Sequence, residues 1–189
     1  MVRYVSEPSP GSAADLQDDA DPEQVARTIL LRRLSASPRT RAELRIDLAK
    51  RGVPDDVAER VLDRFVDVGL IDDSAFAQGW VDARQRTRGT ARSVLRQELR
   101  SKGIGDDDAR EALEGIDEEA ERERAVRLAH TKARSMTRLE PAVRKRRLVS
   151  MLMRRGYRQG MAVSVVCEVL AEADTDALES GDDGGRLAQ

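Results

Sequence analysis

A chain of 189 residues, 40% of them apolar, has material for one ordinary domain or several very small ones. Only five aromatic residues (Tyr4, Phe65, Phe76, Trp80, Tyr157) are present, so packing rests on Leu, Val and Ala, which suits thin helical modules better than a sheet. No apolar run approaches the roughly 20 residues that span a bilayer. No secretory-type segment opens the chain, and one cysteine excludes a disulfide framework, so the expected setting is a reducing cytoplasm.

The net charge of -2 hides a segregation. Residues 1–23 and residues 172–189 each hold six acids and one Arg, which leaves residues 24–171 a net of about +8. A basic body between acidic ends suggests a polyanionic partner surface. Only four of the basic residues are Lys (Lys50, Lys102, Lys132, Lys145), a bias that a GC-rich genome also produces without functional demand.

Residues 1–20, rich in Pro, Ser, Gly and Asp, read as a disordered acidic leader. Asp21-Pro22-Glu23-Gln24 opens the first helix, with Asp as cap and Pro at the first helical position. That helix places Val25, Ile29, Leu30 and Leu34 on one face and ends near Ser35–Ser37. Thr40-Arg41-Ala42-Glu43 is a capping-box pattern opening a helix with Leu44 and Leu48, which Gly52 ends. Pro54 starts a third helix, with Val57, Ala58, Val61, Leu62 and Phe65 inward, stopped at Gly69.

The plan then recurs. A helix from about Ser74 carries Phe76, Trp80 and Ala83; another from Thr90 carries Leu95 and Leu99 and stops at Gly103; a short third, from Asp106, bears Ala109, Ala112 and Leu113 and stops at Gly115. A long helix from about Asp117 to Met136 follows, then one begun by Pro141 with Leu148 and Leu152, stopped at Gly156, and a last from about Gln159 with Ala162, Val165, Val166 and Val169. Residues 173–189 read as a disordered acidic tail.

Alignment on Gly52, Gly103 and Gly156 makes the repetition explicit. Leu stands four and eight residues before each glycine (Leu48, Leu99, Leu152; Leu44, Leu95, Leu148), and a basic residue directly before it (Arg51, Lys102, Arg155). Directly after comes Val53, Ile104 or Tyr157; six after is always Ala (Ala58, Ala109, Ala162); thirteen after is Phe65, Ile116 or Val169. The expected architecture is all-α: three tandem three-helix repeats over 21–69, 70–116 and 117–172, each marginal alone and supported by its neighbours. In a row of units each about 25 Å across, this makes an elongated array suited to a long surface.

Gly69-Leu-Ile-Asp-Asp, Phe76-Ala77, Trp80-Val81, Arg84, Gly89 and Glu98-Leu99 with Lys102-Gly103-Ile104 together resemble the central repeat of the RecX family of regulatory proteins. Arg41-Ala-Glu-Leu44, Leu48 and Gly52-Val53, and Arg154-Arg155-Gly156-Tyr157, are similar to that family's outer repeats, so the likeness covers roughly residues 22–172. The resemblance implies a cytoplasmic modulator lying in the groove of the RecA–single-stranded-DNA filament; a monomer is expected. It would inhibit ATP hydrolysis, strand exchange and co-protease activity, by blocking filament extension or promoting disassembly, and so modulate DNA repair and the SOS response. The acidic leader and tail depart from the pattern.

Candidate contact residues follow. Arg92, Arg96 and Arg100 form one stripe opposite Leu95 and Leu99, preceded by Arg84, Arg86 and Arg88 and followed by Lys102. Arg144-Lys145-Arg146-Arg147 is a denser run, of which Arg144, Lys145 and Arg147 are the candidates, with Arg154 and Arg155 beyond it. A solvated helix face is the other reading of either set. Phe76 and Trp80, with Leu95, Leu99, Gly103 and Ile104, are expected to hold the central core.

Val163 and Cys167 occupy positions held by Glu59 and Asp63 in the first copy and Arg110 and Glu114 in the second. The long helix from Asp117 is expected to cover this wider apolar arc, a partner face being the alternative; Cys167 then acts as a small hydrophobe. A lone His130 assembles neither a His-based metal site nor a Ser-His-Asp triad. Asp106-Asp107-Asp108 matches helix-start chemistry. No cofactor, metal or catalytic residue is expected. A direct DNA reader acting through one basic face, and a scaffold for unrelated proteins, are the competing functions.

Overall fold

The structure, a computed structural model, describes residues 21–181, with side chains through Ala173. The expected leader (1–20) and the end of the expected tail (182–189) lie outside the described residues. Among those described, all regular structure is helical: α1 (Pro22–Ala36), α2 (Arg41–Ala49), α3 (Asp55–Asp67), α4 (Asp73–Arg88), α5 (Arg92–Ser101), α6 (Asp106–Ala112), α7 (Glu118–Ala133) with a 3-10 turn (Arg134–Met136), α8 (Pro141–Arg154) and α9 (Gln159–Gly181). The helices form two compact units, one up to Asp72 and one from Asp73 onward.

In the first unit, the Asp21 carboxylate accepts from the Glu23 N–H and Pro22 fills the first turn of α1. The capping box closes at α2, where the Glu43 N–H donates to Thr40 Oγ1 and the Thr40 N–H to Glu43. Ala26, Leu30, Leu44, Leu48, Val53, Ala58, Val61, Leu62, Phe65 and Ile71 make one core. Ile71, assigned to the second repeat by the sequence, belongs here, because its N–H and that of Leu70 donate back to the Phe65 carbonyl.

The three glycines act alike. Gly52, Gly103 and Gly156 have φ of 74°, 75° and 93°, and the residue after each donates to the carbonyl of the Leu four positions before the glycine. This is the Schellman closure, which brings the residue after the glycine against the last helical turn. It explains the repeat register: Val53, Ile104 and Tyr157 are all buried, as are the six aligned leucines and the three aligned alanines.

The second and third repeats form one unit. The second has its own core (Ala77, Val81, Leu95, Leu99, Ile104, Ala109, Ala112, Leu113, Ile116), and the third another, built from α7, α8 and α9. Ala91, from the second repeat, sits in the core of the third. Around it, the Ala91 N–H donates to the Arg155 carbonyl at 2.9 Å, Ser93 Oγ to the Gly156 carbonyl at 3.1 Å, and Tyr157 Oη to the Gly89 carbonyl at 3.0 Å.

This junction corrects the expected start of α5. The cap position is Ala91 rather than Thr90, and Ala offers no capping oxygen. Glu121 of α7 supplies one instead, its carboxylate accepting from the Arg92 N–H at 2.7 Å. A negative group at a helix N-terminus also complements the helix dipole. Replacing Glu121 by Ala is expected to cost about 1 kcal/mol, read as a lower urea midpoint.

Burial of Tyr157 pushes its phenol up to about 12. The folded value lies above the unperturbed value of about 10, so the associated stability is complete below pH 10 and is lost as pH rises through 12. The denaturation midpoint should therefore fall between pH 10 and pH 12. Tyr157→Phe should flatten that fall at a cost of about 1 kcal/mol at neutral pH.

Three further expectations need correction. Ala83 is exposed, and α4 turns Ala77 and Val81 inward; Phe76 and Trp80 are only partly buried at the core margin. Val163 and Cys167 are exposed, not covered by α7, because α9 presents Ala162, Val165, Val166 and Val169 to its neighbours. Finally, α9 continues to Gly181 through much of the expected tail. Ala, Leu and Glu in that segment favour a helix, and no Gly or Pro interrupts it before Gly181.

Candidate basic interface

In the first unit, most arginines are matched by carboxylates. Arg41 lies 2.7 Å from Glu59 and 2.6 Å from Asp63, Arg45 lies 2.8 Å from Glu59, and Arg33 lies 2.9 Å from Asp47. The hydrogen bond that Arg41 donates to Asp63, aided by Glu59, raises the Arg41 pKa. Arg60 pairs with Asp56, and Arg64 with Glu23.

The repeat register shows how the other copies differ. Arg41 and Arg45 stand eleven and seven residues before Gly52; Arg92 and Arg96 hold those places before Gly103. Where Glu59 faces the pair in the first copy, the second has Arg110, itself held by Asp107 at 2.7 Å. In the third copy Lys145 corresponds to Arg41, while Glu59 and Asp63 give way to Val163 and Cys167. The same backbone plan thus neutralises Arg41 and Arg45 in the first copy, keeps an acid only at Glu114 in the second, and removes both facing acids in the third.

The sequence-derived candidates separate into two groups. Arg84 is structural: its Nε donates to Glu98 at 2.9 Å and its guanidinium lies 4.4 Å over the Trp80 ring. Trp80 Nε1 donates to the same carboxylate oxygen at 2.8 Å, Phe76 stacks on Trp80 at 5.9 Å, and Lys102 Nζ lies 4.7 Å over the indole. This tower ties α4 to α5 and gives the partly buried Trp80 a hydrogen-bond acceptor and two cationic partners. Arg155 donates to the Arg88 carbonyl across the repeat junction, and Arg100 bonds Asp106 at 3.1 Å.

Arg86, Arg88 and Arg96 are exposed, and among the described residues no ion pair engages their side chains; Arg92 is partly buried. On α8, Lys145, Arg147 and Arg154 are exposed and Arg144 partly buried. Arg147 and Arg154 converge with Lys132 and Arg146, two residues outside the sequence-derived set. Arg146 was legible from its spacing to Arg154; Lys132 was not, because it comes from α7. Among the described residues no group of His, Cys, Asp or Glu is placed to hold a metal ion, and no helix is long and apolar enough to cross a membrane.

The geometry defines a tandem three-helix protein that presents side-chain charge, with Arg86, Arg88 and Arg96 among the cations of the later repeats that no ion pair engages among the described residues. Family models describing the first, second and third three-helix domains of RecX match residues 26–65, 72–113 and 119–166. The regulatory protein RecX of Streptomyces coelicolor is 46% identical over 164 residues, covering 87% of both chains. That of Mycobacterium marinum is 50% identical over 154 residues, covering 80% of this chain and 89% of its own. The crystal structure of RecX from Lactobacillus salivarius shares the fold, with a TM-score of 0.68 at 23% identity over 79% of this chain and 97% of that one. The chain belongs to the RecX family of regulatory proteins.

Proposed function

We propose that this protein binds the RecA–single-stranded-DNA filament and inhibits its ATP hydrolysis, strand exchange and co-protease activity, thereby restraining DNA repair and the SOS response. The contact is carried by Arg86, Arg88, Arg92 and Arg96 of the second repeat and by Arg144, Lys145, Arg147 and Arg154 of the third. Arg84, Lys102 and Arg155 hold those elements in place, and Arg100 contributes beside its bond to Asp106. The protein acts as a cytoplasmic monomer without cofactor or catalysis.

The observation that carries this reading is the loss of one facing carboxylate in the second repeat, where Arg110 replaces the Glu59-type acid, and of both in the third. Arg41 and Arg45 spend their charge on Glu59 and Asp63, whereas Arg96 and Lys145, at equivalent places, keep theirs for a partner. Phosphates and acidic protein surfaces both reward such a field, and salt weakens it.

The test is co-sedimentation with recombinase filaments assembled on single-stranded DNA. The protein should pellet with filaments at low salt and dissociate steeply as salt rises. Equal pelleting with bare DNA alone would favour the direct DNA reader, and no pelleting at any salt would remove both.

A further inference from the structure

Lys132 of α7, Met136 of the 3-10 turn, and Arg146, Arg147, Ser150, Met151 and Arg154 of α8 line a half-open cavity of about 370 Å³. The α8 members follow helical geometry: Arg146, Ser150 and Arg154 succeed one another at four-residue steps, with Arg147 and Met151 alongside. Every charged group in the lining is a cation. Among the described residues none of the four has an ion pair or a side-chain hydrogen bond, although arginines elsewhere in the chain are repeatedly matched with acids.

Four like charges beside Met136 and Met151 repel one another, and the thioethers supply no compensating field. An anion removes that repulsion, and because the four cations are exposed, salt weakens each contact it makes. Three guanidinium forks, an ammonium and the Ser150 hydroxyl hold far more donors than the oxygens of one phosphate can accept. Planar forks matched to phosphate geometry favour bidentate contact.

We propose that this cavity is an oligophosphate site that seats two or more adjacent phosphate groups, those of a nucleic-acid strand or of a free polyphosphate tail. A cavity at the small end of the ligand-pocket range holds a short run of phosphates, not a folded acidic segment. The site deepens the proposed function by naming the chemistry that part of its third-repeat face recognises, yet it is tested without any recombinase.

Isothermal titration calorimetry on the full chain, at low salt, uses three probes: inorganic tripolyphosphate, a short oligothymidylate and a hexa-aspartate peptide. Tripolyphosphate should bind with one site per chain. If the oligonucleotide binds and is displaced by tripolyphosphate, the phosphates come from a strand; if only tripolyphosphate binds, they come from a compact ligand. Arg146→Gln/Arg154→Gln should weaken binding at least roughly tenfold with helix content unchanged, since two charge-assisted contacts are removed. The charge-matched control Arg32→Gln/Arg51→Gln, at exposed positions of the first unit, should bind as the parent does. Absence of tripolyphosphate binding, equal weakening by both double variants, or equal affinity for hexa-aspartate would overturn the assignment. Lost phosphate binding with filament inhibition intact confirms the pocket and separates it from inhibition. Intact phosphate binding without inhibition sinks the regulatory reading and spares the pocket.

Discussion

Gly156→Ala is expected to destabilise the second unit by about 3 kcal/mol, the sum of a left-handed backbone penalty near 1 kcal/mol and overpacking of about 2 kcal/mol. Gly156 has φ of 93°, and a Cβ there would meet Val94 Cγ2 at 2.3 Å and Ala91 Cβ at 3.4 Å. Those atoms belong to the start of α5, so strain falls on the junction that Ala91, Ser93 and Tyr157 hold together. Gly52 occupies the same place in the first repeat with open space around it. Gly52→Ala should therefore cost only about 1 kcal/mol, the backbone penalty alone. Urea denaturation of the two variants measures the difference, and equal losses would mean that the junction does not bear on stability.

The second large effect is functional. Arg86→Glu/Arg96→Glu should raise the concentration needed for half-maximal inhibition of recombinase ATP hydrolysis at least roughly tenfold, because two attractive contacts become repulsive. Both residues are exposed and, among the described residues, carry no ion pair, so helix content and thermal midpoint should hardly change. Arg84→Glu is a poor substitute, since it disrupts the Trp80–Glu98 tower as well. Unchanged potency of the double variant would show that this face is not the one used.

The repeat was legible in the sequence because its signals are local. A glycine able to take positive φ, a Leu four residues earlier and an apolar residue next in line are all terms of one hydrogen-bonded closure. Whatever depended on tertiary partners was less legible. Thr90 looked like the cap of α5, yet Ala91 takes that position because α7 brings Glu121 to the orphan N–H. Phe76 and Trp80 looked like core, but aromatic size misled: Ala77 and Val81 fill the interior, while the rings stack outside under Arg84 and Lys102.

The candidate surface divides in the same way. The arginine stripe of α5 was visible from spacing alone, but not that Arg84 and Arg155 are engaged internally. Alignment of the copies showed that Glu59 and Asp63 give way to Val163 and Cys167. Its meaning emerged only once Arg41 was seen to lie against those acids. The exposed Val163 and Cys167 belong to that exchange: removing the acids left an uncovered arc beside α8 rather than a buried one.

The central claim is that a non-catalytic, positively charged face restrains a recombinase on its DNA. Its most direct test is a titration of this protein into DNA-dependent ATP hydrolysis by the RecA recombinase of the same organism, with and without residues 1–20. Sub-stoichiometric protein should suppress hydrolysis in both forms. Hydrolysis that continues undiminished at every ratio, with the protein folded and the filament intact, would contradict the account.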